Sequence, residues 1–162
     1  MPISLSAWSL RAQQAYLLAE EDARQRQHKQ ITVHHMFIGL AEETRGLAGR
    51  LLRAEGITGE RIRKVFPHWH IFDAGRSLLQ PPLAPVTERL LENNLPLSLN
   101  DLGGKIVSTR HVLLALLELP GLILLQMLKV DQGHLRRTVY EASGLDASPL
   151  LGYEIDEPCY TF

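Results

Sequence analysis

Seven histidines are the residues best placed to do chemistry in this 162-residue chain, and five of them fall in His34–His35, His68-Trp69-His70 and His111. An imidazole carries or releases a proton near neutral pH and is a common metal ligand. Zinc, however, takes three or four ligands, usually with cysteine or carboxylate beside imidazole. The chain has one cysteine, Cys159, and no His-Glu-x-x-His helix. Adjacent helical residues point about 100° apart, so His34 and His35 do not readily share one ion. Nucleophiles fare no better. The serines lack a Gly-x-Ser-x-Gly elbow, and Cys159 has no histidine near it in sequence. The nearest approach to a phosphate-cradling loop is Gly103-Gly104-Lys105, which lacks both the first glycine and the hydroxyl residue of Gly-x4-Gly-Lys-Ser/Thr. No catalytic residue, metal site or cofactor is expected, and the chain is read as not an enzyme.

Composition narrows the remaining classes. Apolar residues make up 45% and charged residues 22%, an ordinary globular balance. Net charge is −1, so no basic surplus points to nucleic acid. A single cysteine excludes an internal disulfide framework and fits a reducing, cytoplasmic setting. MPISLSAW lacks the basic start and apolar run of a signal peptide. The most apolar stretch, Val112 to Val130, is interrupted by Glu118, Pro120-Gly121 and Gln126. That reads as buried helix rather than a membrane span.

The histidines also mark a repeat, which must be found before the fold is read. ITVHHMFIGLAEE (31–43) and IVSTRHVLLALLEL (106–119) each run from a polar turn through a histidine into an apolar helical stretch; His35 and His111 stand 76 residues apart. Before the first lies a helix from about Ser9 to Gln27, with Ala12, Ala15, Tyr16, Ala19 and Ala23 on one face. Ser9 is its expected cap. A second helix, about 33–44, buries Met36, Phe37, Leu40 and Ala41; a third, about 47–55, ends at Gly56; Thr58 caps a fourth, to about Phe66. In the second copy a helix begins at about Pro85, and Pro96 should kink or end it. Thr109 is the expected cap of the next helix, which is apolar nearly all round through Val112–Leu117 and therefore central. Leu122 to Lys129 and a helix capped by Asp131 complete the copy, which is three residues shorter. The expectation is an all-α domain, residues 1–144, of two tandem four-helix repeats in pseudo-twofold arrangement. Repeat 1 covers about 8–66, a linker 67–82 and repeat 2 about 83–142; an acidic, aromatic tail occupies 145–162. Packing on the chain's own core is the preferred reading of linker residues Trp69, Ile71, Phe72, Leu78 and Leu79. For Tyr153, Ile155, Tyr160 and Phe162 of the tail, disorder or self-docking is preferred over a partner motif.

The doubled unit resembles the Clp N-terminal domain, the paired helical module that precedes the ATPase rings of Clp unfoldases. The residues carrying the resemblance are Trp8–Ser9, His28, Ile31-Thr32-Val33-His34-His35, Gly46 and Glu55-Gly56-Ile57-Thr58 in repeat 1. In repeat 2 they are Leu83–Ala84, Gly103, Val107-Ser108-Thr109-Arg110-His111, Gly121 and Lys129-Val130-Asp131. The resemblance spans about residues 8–142 and implies an accessory module without its motor.

In several members of that family the turn before helix 2 binds phosphorylated arginine through a carboxylate and a helix-1 threonine. Carried over, those places are Ser9 and His34 in repeat 1, and Ala84 and Arg110 in repeat 2. Both carboxylates are gone, so a guanidinium would meet a histidine and an arginine, and phospho-arginine recognition is not expected. Arg110 is read first as a solvated helix-start residue and second as a contact for an acidic ligand or partner. His35 and His111 are read as structural, their imidazoles bonded to backbone in the preceding turn. The resemblance implies a non-enzymatic interaction module: an adaptor or accessory factor binding a Clp ATPase, the Clp protease core or a protein substrate, with self-association possible. Docking on the proteolytic core and a histidine-based metal or small-ligand sensor are the alternatives.

Overall fold

Alanine decides how the first two helices meet. The structure, a computed structural model, describes residues 5–65 and 81–143. After a single 3-10 turn at Leu5–Ala7, α1 (Leu10–Gln25) begins at Ser9, whose Oγ accepts the Ala12 N–H at 3.1 Å. That bond satisfies one of the donors every helix start leaves open. Ala12, Ala15, Ala19 and Ala23 form the buried face of α1. Side chains this small let α2 (Val33–Glu42) approach until a Cβ on Gly39 would stand 2.1 Å from the Ala15 carbonyl oxygen. Two shorter helices, α3 (Leu47–Ala54) and α4 (Gly59–Val65), close repeat 1. Gly56, at φ +76°, ends α3 in the left-handed region, and Thr58 Oγ1 accepts the Arg61 N–H to start α4.

Repeat 2 follows the same order with α5 (Pro85–Leu102), α6 (Thr109–Leu117), α7 (Ile123–Met127) and α8 (Gln132–Ser143). All nine residues of α6 are buried, so the apolar stretch is the central helix of the core. Asp131 Oδ1 accepts the Gly133 N–H at 2.9 Å and caps α8.

Two local expectations are corrected. Pro96 does not end its helix: α5 continues through it to Leu102. Glu92 and Pro96, the two ends of the hydrogen bond a proline cannot make, are both exposed, while Leu91, Leu95 and Ser98 are buried on the other side. Packing of that inner face outweighs a defect placed in water. The cap of α6 is Ser108 rather than Thr109. Thr109 is the first helical residue, and its Oγ1 accepts the Ala48 N–H of α3 at 3.1 Å, tying the repeats together.

The repeats are joined crosswise. Trp8 pairs with Val107 and Ile31 with Leu83, each as an isolated parallel bridge. Ser9 N–H donates to Val107 O at 2.7 Å, and Ala84 N–H to Ile31 O at 2.9 Å. Each repeat's first helix therefore starts against the other repeat's helix-2 turn, which gives the pseudo-twofold relation. Trp8 is buried there with its ring edge-on to Tyr16, centroids 6.0 Å apart. Among the described residues no helix is long and apolar enough to cross a membrane. The linker residues Trp69, Ile71, Phe72, Leu78 and Leu79, the histidines His68 and His70, and the whole 145–162 tail with Cys159 lie outside the described residues.

Candidate binding groove

The crossed bridges decide which expected site residues meet. Ser9 and His34 do not share a site through one repeat. Ser9 is held by the Val107 carbonyl beside Ser108, and Ala84 by the Ile31 carbonyl beside Thr32. Two junctions result, one pairing the starts of α5 and α2 and one pairing the starts of α1 and α6.

The α2/α5 junction is open. A groove of about 350 Å³ lies between the first turns of α2 and α5 and the Leu119–Leu124 segment that joins α6 to α7. Val33, Ala84, Val86, Leu122 and Ile123 give it an apolar lining, with Thr32, His34 and Thr87 as polar points. No carboxylate among the described residues lines it. Val86 and Ile123 keep 67% and 63% of their surface exposed, the two highest values among the large apolar side chains of the described residues. Burial pushes the His34 imidazole down to about 4, so at neutral pH it is an uncharged side chain.

The α1/α6 junction is closed. Thr109 sits where Val33 sits in the other copy, and a Cβ on Gly46 would come within 2.8 Å of Thr109 Oγ1. Arg110, the counterpart of His34, is not solvated. It is 4% exposed, its Nε donates to Ser108 Oγ at 3.3 Å and its Nη2 reaches the Gly103 carbonyl at 3.5 Å. The guanidinium folds back over its own turn because that turn supplies the acceptors a buried cation requires. Ser9, with no exposed surface, serves as a helix cap.

His35 and His111 are both fully buried at the third position of their helices. Each Nδ1 accepts a backbone N–H from the capping residue, Thr32 or Ser108, at 2.9 Å. An accepting Nδ1 places the ring proton on Nε2. In repeat 2 that Nε2–H donates to the Gly103 carbonyl at 2.7 Å; in repeat 1 it faces Nδ1 of the buried His28 at 2.6 Å. Burial first, then the neighbouring His28, His34 and Arg26 charges, push His35 down to about 2. Each ring thus places Nδ1 on the turn that starts its helix and Nε2 on the segment that follows the repeat's first helix. Among the described residues no three His, Cys, Asp or Glu side chains gather as a metal would need.

A sequence model of the Clp repeat (R) N-terminal domain matches residues 8–129, which span both junctions. The chain belongs to the Clp N-terminal domain family. ClpC/MecB of Bacillus subtilis, a negative regulator of genetic competence, is 31% identical over 108 residues, covering 66% of this chain and 13% of that protein. Chloroplastic ClpC1 of rice (Oryza sativa subsp. japonica) is 28% identical over 131 residues, 79% of this chain and 14% of that protein. The chain therefore spans only a small part of the length of these relatives. Among solved structures, the N-terminal domain of Arabidopsis thaliana ClpD superposes with a TM-score of 0.69 at 17% identity, covering 86% of this chain and 96% of that one. The Candida albicans Hsp104 N-terminal domain gives 0.69 at 15%, covering 85% and 91%. The ClpV N-domain in complex with a VipB peptide gives 0.63 at 16%, covering 89% and 96%. These structural likenesses establish the Clp N-terminal fold.

One wall of the groove has only a weak signature in the sequence. Leu119–Leu124 reads there only as helix and turn. Its signal was an excess of apolar residues, with Ile123 and Met127 one turn apart on a five-residue helix too short to bury both.

Proposed function

We propose that this chain is a non-enzymatic protein-interaction module of a Clp-type protein quality-control system. It acts in the cytoplasm as an adaptor or accessory factor and holds a segment of a protein partner in the α2/α5 groove. The open, apolar groove carries this reading. An occupant with two or three apolar side chains would cover Val86 and Ile123, which otherwise stand in water, while Thr32 and Thr87 supply polar contacts at the edge. That a ClpV N-domain is seen with a VipB peptide supports peptide binding on this scaffold. The loss of acidic residues at His34 and Arg110, and the turning-in of the Arg110 guanidinium, argue against a cationic ligand at either junction.

The test is affinity capture from cell extract with the wild-type chain and with a Val86→Asp/Ile123→Asp double variant. Clp ATPase subunits, Clp protease subunits or a defined substrate should be retained by the wild type and lost from the variant. Equal recovery by both removes the groove from the account. Recovery of neither a Clp component nor a substrate of one removes the Clp assignment.

A further inference from the structure

We propose that Gln132, the first residue of α8, is the positioning residue of the groove and holds its α6–α7 wall in place. Its amide spans the turn that forms that wall. Nε2 donates to the carbonyls of Leu117 and Leu119, each at 2.7 Å, and Oε1 accepts the Leu122 N–H at 3.2 Å. Between those groups lies Pro120-Gly121, with Gly121 at φ +64°, where the chain leaves helical geometry and its own backbone offers few partners. A primary amide is the one neutral side chain that offers both two donor hydrogens and an acceptor, so it serves both sides of such a turn at once. Leu119 and Leu122 then line the groove as a fixed edge.

Repeat 1 meets the same need with other residues. Arg53 Nη1 and Nη2 donate to the Ala41 and Thr44 carbonyls, and Glu43 Oε1 accepts the N–H groups of Arg45 and Gly46. The first residue of α4 is Gly59, which has no side chain for the task. Two charged side chains at the closed junction thus do what one amide does at the open one. A neutral clamp leaves that wall apolar.

This inference rests on the groove being a binding site, and the experiment separates the two. The full chain is titrated with the apolar dye bis-ANS, and Gln132→Met, Gln132→Lys and Ile123→Asp are compared with the wild type. Methionine removes all three bonds at similar size, and lysine keeps donors for the two carbonyls while releasing the Leu122 N–H. Gln132→Met should weaken dye binding roughly tenfold and speed Leu122 amide exchange, with Gln132→Lys in between. A purely structural role would lower the melting temperature and leave dye affinity unchanged. Unchanged affinity in both Gln132 variants, with Ile123→Asp impaired, overturns the clamp and keeps the groove. Unchanged affinity in all three overturns both. If Gln132→Met does not fold, Gln132→Lys decides by the same comparison.

Discussion

At the start of α2, Val33 and His34 face an open groove of about 350 Å³, with Val86 across from them on α5. At the start of α6 the same helical positions hold Thr109 and Arg110, and the corresponding place on α1 is Arg11. There Thr109 is seated on Gly46 and bonded to Ala48, and Arg110 is turned in over Ser108. The backbone plan is shared down to the crossed bridge and the histidine cap. What differs is whether the first helical residue carries a hydroxyl that finds a donor on the neighbouring helix. A hydroxyl with a partner draws α3 against α6; a valine offers no such bond and leaves its junction open. A duplicated scaffold therefore does not guarantee a duplicated site.

The largest effect should come from the helix pair behind the open junction. Gly39→Ala drives a Cβ against the Ala15 carbonyl and should cost about 3 kcal/mol or more in urea unfolding. Ala115 occupies the matching place on α6, and Ala115→Gly there should cost only about 1 kcal/mol. A cost of about 1 kcal/mol or less for Gly39→Ala would show that α1 and α2 can part to admit the methyl. Next comes the closed junction itself. Thr109→Val keeps the shape, removes the acceptor for the Ala48 N–H, and should cost about 1–3 kcal/mol. A smaller loss would show that the hydroxyl is not what closes that side.

Titration separates the junctions further. The folded His34 value is depressed to about 4 from an ordinary 6.5. Above 6.5 the ring is neutral in both folded and unfolded chains, and its contribution to stability is fully present. As pH falls from 6.5 towards 4, the unfolded chain takes up a proton that the folded one refuses, so stability declines. The limiting slope is about 1.4 kcal/mol per pH unit for each such group. His34→Gln should make the decline between pH 6.5 and 4 shallower, leaving the part that the buried His35 contributes, whereas Arg110→Gln, at the partner position, should leave the slope alone. Equal slopes in wild type and His34→Gln would place the imidazole in water. The smallest effect belongs to the groove rim. Val86→Asp, in the first turn of α5, should change stability by no more than about 0.5 kcal/mol. A large loss would mean that Val86 packs rather than waits for a partner.

Much of this architecture is legible in the sequence because helix signals are local. Alanine spacing in α1, the glycine after α3 and the all-apolar run of α6 each state a burial pattern within a few residues. Pro96 misleads for the same reason: the local rule omits the buried Leu91, Leu95 and Ser98 that carry α5 past it. The sequence points to Thr109, one residue past the true cap, since Ser108 and Thr109 are both good caps and only the third-position histidine selects between them. The site was less legible. Ser9, His34, Ala84 and Arg110 sit at the expected helix starts, yet which of them meet depends on two bridges between distant segments. Arg110 looks exposed on a helix start until Ser108 and the Gly103 carbonyl are brought round to it. The clamp at Gln132 gives no local signal, because its three partners lie ten to fifteen residues away.

The crossed bridges also have a consequence for how the protein reaches its working state. Trp8 pairs with Val107 and Ile31 with Leu83 across long stretches of chain, and contacts of such long sequence separation raise the folding barrier. α1 and α2 can collapse early as a local pair, but the groove has one side from each half. The groove is complete only once the halves have docked. A chain whose halves have not docked therefore lacks the assembled groove, and any ligand of that groove would favour the docked state.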